Sequence, residues 1–366
     1  MRYTSALIPV WSAATIQAFP TFSIWPQDRG SAVIEREQEP ILIHESHPMR
    51  AIHANPITAI KNNRNLQFFT DISIGNPPQV FRSLVDIAWS DLFVPSTECQ
   101  DESMQVYAAG LEIKDQQFHE LETYLHIPSM LWPRDFDAVL GLAPSNEASF
   151  AKIPNPFQQM MSQGLLEANV ISLSLGGTAA DTSIPGEIMY GGINHALMDG
   201  ELVRLPVTDT RDANLHDPFA VGPPVLNGTW QVEAHSIAWG DAEDESVSLD
   251  GFTAILSTRQ PFPGTGSVRT VDCQKRDSLP TLTFNLAGHD FTLSPYEYTV
   301  EVSMGYLGLM CIVSTAPLDR WSLPPDEPDF IVLGSSFLRG YYTVLDFDQK
   351  EVGLAPAKYR TGPYGL

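Results

Sequence analysis

Short runs in which apolar and polar positions alternate, separated by turn residues, dominate the chain from about residue 66 onward. Leu66–Ile74 alternates and stops at Gly75-Asn-Pro-Pro78, Val170–Leu175 stops at Gly176-Gly177, and Tyr341–Phe347 is a third such run. A period of two punctuated by Gly and Pro predicts the strands of an all-β protein. One stretch departs from it. Pro156-Phe-Gln-Gln-Met-Met-Ser-Gln-Gly-Leu-Leu166 spaces apolar groups at helical intervals and meets a Gly near its end, so a short surface helix is expected there.

The N-terminal part has no such order. Residues 19–64 mix charges, Pro and His without a sustained period, which fits a pro-segment or equally a disordered extension with no role. Ahead of them, Met1-Arg2 leads into a mostly apolar stretch from Ala6 to Phe19 with small residues near Ala18, which reads as a secretory signal over residues 1–18. Pro9 and Gln17 interrupt it, and a buried N-terminal strand is the other reading.

Composition narrows the classes. A chain of 366 residues with 43% hydrophobic content divides most naturally into two domains. Acidic residues outnumber basic ones 44 to 21, for a net charge of −23, and no basic run occurs, which argues against a nucleic-acid partner. No stretch after the first residues approaches the roughly 20 apolar positions of a membrane span, and the tail carries no lipid-anchor signal, so no membrane partner is expected. The nine His are scattered, with no metal-ligand spacing and no phosphate-binding Gly loop, so no cofactor or metal is expected. Three cysteines allow at most one intramolecular disulfide. A monomer is expected.

Several strings together resemble the pepsin-like aspartic endopeptidases. Phe69-Thr-Asp-Ile-Ser-Ile-Gly-Asn-Pro-Pro-Gln79 is similar to that family's opening strand and turn, and Leu84-Val-Asp-Ile-Ala-Trp-Ser-Asp-Leu-Phe-Val-Pro-Ser96 to its first catalytic loop. Phe136-Asp-Ala-Val-Leu-Gly-Leu142, Gly186-Glu-Ile-Met-Tyr-Gly-Gly-Ile-Asn194, Trp230-Gln-Val232, Leu279-Pro-Thr-Leu-Thr-Phe284 and Ile331-Val-Leu-Gly-Ser-Ser-Phe-Leu-Arg-Gly-Tyr-Tyr-Thr-Val344 follow in the family's order. The resemblance implies two β lobes, expected at 65–203 and 204–366, flanking a central cleft that binds an extended peptide or a protein segment, with a few short helices and one catalytic Asp from each lobe. It also implies a disulfide between Cys273 and Cys311, which would contribute on the order of 4 kcal/mol by closing its loop; two reduced thiols are the alternative. Cys99 lacks its usual partner and is expected as a free thiol.

The chemistry of the family needs two facing carboxylates that share one proton and hold a water between them, one acting as base and the other as acid. Asp86 stands at the first position, but Ile87, Ala88 and Trp89 replace the usual Thr, Gly and hydroxyl residue. Ile87 cannot form the hydroxyl hydrogen bonds that lock the two loops, and Trp89 removes a donor to the carboxylate. Asp86 then serves catalysis or merely ends a strand as a turn residue. In Thr253-Ala-Ile-Leu-Ser-Thr-Arg-Gln260, Ser257 occupies the position of the second aspartate, where a hydroxyl cannot act as base at acidic or neutral pH. Thr258 keeps the family's Thr, and Arg259 is placed to pair with Asp86 or to stay exposed. Almost nothing separates Cys99 from Met104, so the flap hairpin that normally closes over substrate is expected to be missing. The stretch from Ser257 to Cys273 is likewise too brief for the helix and strand the family has there.

Outside the site, Val207–Leu226 reads as an acidic insertion, and Asn227-Gly-Thr229 is a glycosylation sequon, with simple turn chemistry as the other explanation. The expectation is a secreted or vacuolar pseudoprotease that binds a peptide or protein. Two alternatives stay open: an active acid endopeptidase whose gene was misread beside both catalytic loops, and a relic that folds poorly. Transcript sequencing across codons 99–106 and 257–273 separates the first, since recovered segments would carry a flap and a second Asp-Thr-Gly.

Overall fold

The computed structural model describes residues 55–63, 67–94, 103–120, 137–144, 153–177, 184, 186–208, 228–240, 246–258, 269–303, 309–314 and 330–360, all within the unit Asn55–Leu366. The expected signal segment, Cys99, Asn227, Arg259, most of the acidic insertion and residues 95–102, where the lid is expected to be lost, lie outside the described residues.

Nearly every described element is a strand. The first half contains β1 (Ile57–Asn63), β2 (Gln67–Ile74), β3 (Gln79–Asp86), β4 (Leu92–Val94), β5 (Ser103–Ala108), β6 (Leu111–Gln117), β7 (His119–Glu120), β8 (Ala138–Gly141), the helix α1 (Pro156–Ser162), β9 (Val170–Ser174) and β10 (Gly186–Tyr190). The second half contains β11 (Val203–Pro206), β12 (Gln231–Trp239), β13 (Ser246–Leu256), β14 (Thr270–Val271), β15 (Leu282–Leu286), β16 (His289–Leu293), α2 (Pro295–Tyr298), β17 (Thr299–Ser303), β18 (Leu309–Val313), β19 (Phe330–Leu333), α3 (Ser335–Leu338), β20 (Tyr341–Asp346) and β21 (Glu351–Pro356). This is the all-β architecture that the alternation and its turns predict, arranged as the two-lobed fold that the resemblance implies.

The three alternating runs become β2, β9 and β20, and the helical run becomes α1. Asn155 and Gln158 form a capping box at its start, Pro156 occupies its first turn, and Gly164 follows its end at φ +64°. Its buried residues are Pro156, Phe157 and Met160. One expectation needs correction: Ile57–Asn63 is not part of an extension but forms β1, paired with β10 through Ile57–Ile60 and with β2 through Lys61–Asn63. Its four apolar-leaning residues after Pro56 are too few to show a period, and their strand character comes from the partners on either side.

An approximate two-fold repeat organises the sheets. In the first half the β2–β3 hairpin is antiparallel and β3 then runs parallel to β8. In the second half β12 and β13 pair antiparallel and β13 runs parallel to β19. The two halves meet in consecutive strands β11-β21-β20-β9-β10-β1, whose order reads alike from either edge. The central contact, β20 against β9, aligns Val344 with Ser172 and Leu345 with Ile171. Beside it the Tyr342 hydroxyl donates to Ser172 Oγ (2.7 Å), which donates in turn to the Gly192 carbonyl (2.8 Å).

The core packs between these layers. Trp230 is buried with its ring edge-on to Phe347 at 4.9 Å, and Phe347 lies 4.6 Å from Phe157 of α1. Cys273 and Cys311 are joined in a disulfide with Cα atoms 5.1 Å apart, tying the turn at Cys273–Ser278 to β18. Glu297, almost fully buried, caps α2 at the Ser294 amide and takes a two-point salt bridge from Arg360 (2.7 and 2.9 Å). Its backbone carbonyl accepts from the buried Arg339.

Burial raises the pKa of the tyrosine hydroxyls of Tyr190, Tyr298, Tyr341 and Tyr342. The unfolded chain gives up such protons near pH 10, so the stability these groups confer is complete below about pH 10 and is lost as pH rises through the folded-state values. Arg339 acts oppositely, because burial lowers its pKa to about 10 and favours the folded state above that pH. One group opposes four. Above about pH 10 the protein should therefore unfold cooperatively, with phenolate absorbance of the buried tyrosines appearing together with loss of near-ultraviolet circular dichroism. Phenolate absorbance that saturates while the tertiary signal is intact would contradict this.

Candidate functional site

The approximate two-fold brings two loops together. Asp86 ends β3, pairs with Gly141 of β8, and is buried. Its carbonyl accepts from Leu142 N (2.8 Å), while its Oδ1 accepts from Ala88 N at 3.0 Å, so the carboxylate closes a tight turn at the strand end. Ser257 follows β13 in the equivalent place, buried, with its amide donating to the Leu333 carbonyl (3.0 Å) at the end of β19. Gly141 and Gly334 are likewise equivalent in position.

Thr258 ties one loop to the other. Its hydroxyl donates to the Val85 carbonyl at 2.6 Å and accepts from Ile87 N at 3.4 Å, spanning the residues on either side of Asp86. The residue related to Thr258 by the two-fold is Ile87, whose side chain is fully buried in the main core and offers no hydroxyl to return the bond. The bracing is therefore one-sided. Thr258→Val should cost about 1–3 kcal/mol, the penalty for stranding buried backbone groups, whereas Thr258→Ser should keep most of that stability. Urea unfolding of the pair checks this, and equal losses in both variants would contradict it.

A third tether crosses nearby: Trp230 Nε1 donates to the Leu142 carbonyl at 3.1 Å, fixing the segment just after β8. Within the first loop, Ala143 N donates to the Trp89 carbonyl and Gly141 N to the Asp91 carbonyl (2.9 and 3.0 Å). Asn155 Nδ2 reaches the Ala143 carbonyl and Ser90 Oγ from α1. The positions flanking Asp86 and Ser257 are thus rigidly held.

Of the residues the sequence singles out, Asp86, Ser257 and Thr258 come together, and Cys273 pairs with Cys311. Arg259 and Asn227 lie outside the described residues. Sequence reasoning missed Trp230, whose indole secures the loop after β8; its Trp-Gln-Val string marked the strand but not the hydrogen bond. Chemically, the first loop carries the buried carboxylates of Asp86 and Asp91, and the second loop carries the hydroxyls of Ser257 and Thr258 where Asp86 has its equivalent. Among the described residues no group of His, Cys, Asp and Glu could hold a metal ion.

Comparisons agree on one kind of protein. Residues 101–260 and 264–357 match the sequence profile described as eukaryotic aspartyl protease. The chain is 30% identical over 355 residues to vacuolar protease A of Aspergillus fumigatus, covering 82% of this chain and 81% of the relative. It is 30% identical over 349 residues to the vacuolar aspartic protease of Candida albicans, covering 82% and 77%. With cathepsin D of Dictyostelium discoideum the identity is 26% over 361 residues, covering 85% and 89%.

Proposed function

Because the chain belongs to the eukaryotic aspartyl protease family, we propose that it is a pseudoprotease of that family, binding an extended peptide or protein segment in its cleft without cleaving it. The observation that carries the reading is Ser257 in the place of the second aspartate. Hydrolysis by this family's route needs a base and an acid from two facing carboxylates at once, and a hydroxyl at Ser257 facing Asp86 cannot complete that pair. Peptide binding depends on backbone hydrogen bonds and side-chain pockets, neither of which requires the second acid.

Further features of the first loop support the same reading. Ile87 buries an alkyl group where the family's Thr makes its bond, Ala88 replaces a Gly, and Trp89 replaces a hydroxyl donor. Ser257→Asp alone should therefore leave hydrolysis at the background of the unaltered protein. Release of peptides from an unfolded protein at acidic pH, blocked by a statine-type inhibitor, would show that one substitution accounts for the loss. Binding itself is tested by fluorescence anisotropy with labelled extended peptides and full-length protein, where saturable binding is expected and its absence across a broad peptide set would sink the reading.

The surroundings of this function are part of the proposal. The protein acts as a monomer without a nucleic-acid partner, with lobes at 65–203 and 204–366, and Asn227 carries an N-linked glycan. It travels the secretory route behind a signal at residues 1–18 and ends outside the cell or in a vacuole. Relatives named as vacuolar proteases support that route, and among the described residues no helix is long and apolar enough to cross a membrane.

A further inference from the structure

Four side chains from neighbouring strands form an apolar cluster separate from the main core: Phe69, Leu84, Val139 and Phe93. Phe69 lies opposite Leu84, Leu84 opposite Val139, and Val139 opposite Phe93, so the four make one row across β2, β3, β8 and β4. Their chain neighbours Phe68, Val85, Leu140 and Leu92 belong to the main core, and strand alternation turns the row to the other face. Leu84 stands two residues before Asp86, and Val139 two before Gly141. The same alternation puts the row on the face that carries the Asp86 side chain, one pleat away.

Trp89 packs against this row, with its ring 5.9 Å from that of Phe93. Its position follows from the loop, since its carbonyl accepts from Ala143 N. In the second half the equivalent row is Gln231, Ile255 and Val332. There Gln231 bonds to Thr229 and Thr253 rather than joining an apolar cluster, so no counterpart to the Trp89 packing exists among the described residues of that half.

We propose that Trp89 fills the apolar recess beside Asp86 and thereby sets the specificity of the site: the peptide it accepts carries a small residue, Gly, Ala or Ser, where it passes this row. The inference rests on the peptide-binding reading above and names the ligand class for it. A large apolar side chain from a ligand and the indole compete for the same surface. Admitting the ligand side chain would force the indole off Phe93 and the rest of the row into water, losing apolar burial that the incoming group only replaces. A small residue leaves the indole in place and still lets the peptide backbone run along the cleft.

The test uses fluorescein-labelled octapeptides on an Ala/Thr background in which each position in turn carries Gly, Leu or Phe, titrated by anisotropy against the full chain and against Trp89→Ala. The unaltered protein should bind the Gly peptide at least tenfold more tightly than the Phe peptide at one position. Trp89→Ala should reverse that preference at the same position by a similar factor, because its vacated recess takes the large side chain. Equal binding of Gly and Phe peptides at every position of the unaltered protein overturns the inference, whether or not the variant folds. A folded Trp89→Ala protein that keeps the original preference also overturns it, and leaves the peptide-binding reading standing. Failure of every peptide to bind either folded protein overturns both.

Discussion

Gly141→Ala is expected to abolish folding or to cost more than about 3 kcal/mol, well beyond ordinary overpacking because nothing nearby can rotate away. A Cβ on Gly141 would sit 2.6 Å from the amide N and carbonyl O of Asp91 and from the carbonyl carbon of Ser90. All three are backbone atoms. The approach is close because Gly141 N donates to that same Asp91 carbonyl while Gly141 pairs with Asp86 on its other side. Relief would require moving β8 away from the Asp86 loop, breaking the parallel ladder that positions it. Urea unfolding of secreted variant protein, or its absence from the secreted fraction, checks the expectation. A variant within 1 kcal/mol of the unaltered protein, by the ordinary scale for surface changes, would show that the loop yields easily.

Trp230→Ala should cost about 3–5 kcal/mol, the range for removing a buried aromatic group. It also strands the Leu142 carbonyl that Trp230 Nε1 satisfies. Trp230→Phe retains most of the packing against Phe347 and loses chiefly that hydrogen bond, so its cost should be about 1–3 kcal/mol. The difference between the two separates packing from tethering. Near-equal losses in denaturant midpoint would contradict the partition.

The strands and the helix were legible because each is marked locally. β2 alternates and stops at Gly75, and α1 carries a capping box, a Pro in its first turn and Gly164 after its end. β1 was not legible: its strand character comes from lying between β10 and β2, a tertiary cause that no local window contains. The positions of Asp86 and Ser257 were legible through their apolar lead-ins. Val85 before Asp86 and Leu256 before Ser257 are the last inward residues of two equivalent strands, so the two places could be matched from the sequence. Hidden from the sequence was what surrounds them. That Thr258 reaches both Val85 and Ile87 depends on residues more than 170 positions apart. The row of Phe69, Leu84, Val139 and Phe93 exists only once four strands are in register, so Trp89 read as a missing donor and not as a group that fills space. Glu297 likewise looked like one acid among 44 until Arg360 and Arg339 closed on it.

The proposed pseudoprotease keeps the fold of a protease without its chemistry. This is tested most directly by incubating the purified protein with an unfolded protein substrate across acidic pH, with and without a statine-type inhibitor, beside an Asp86→Ala control. The same background cleavage is expected in all arms, unaffected by inhibitor or substitution. Cleavage that the inhibitor suppresses and Asp86→Ala abolishes would contradict it.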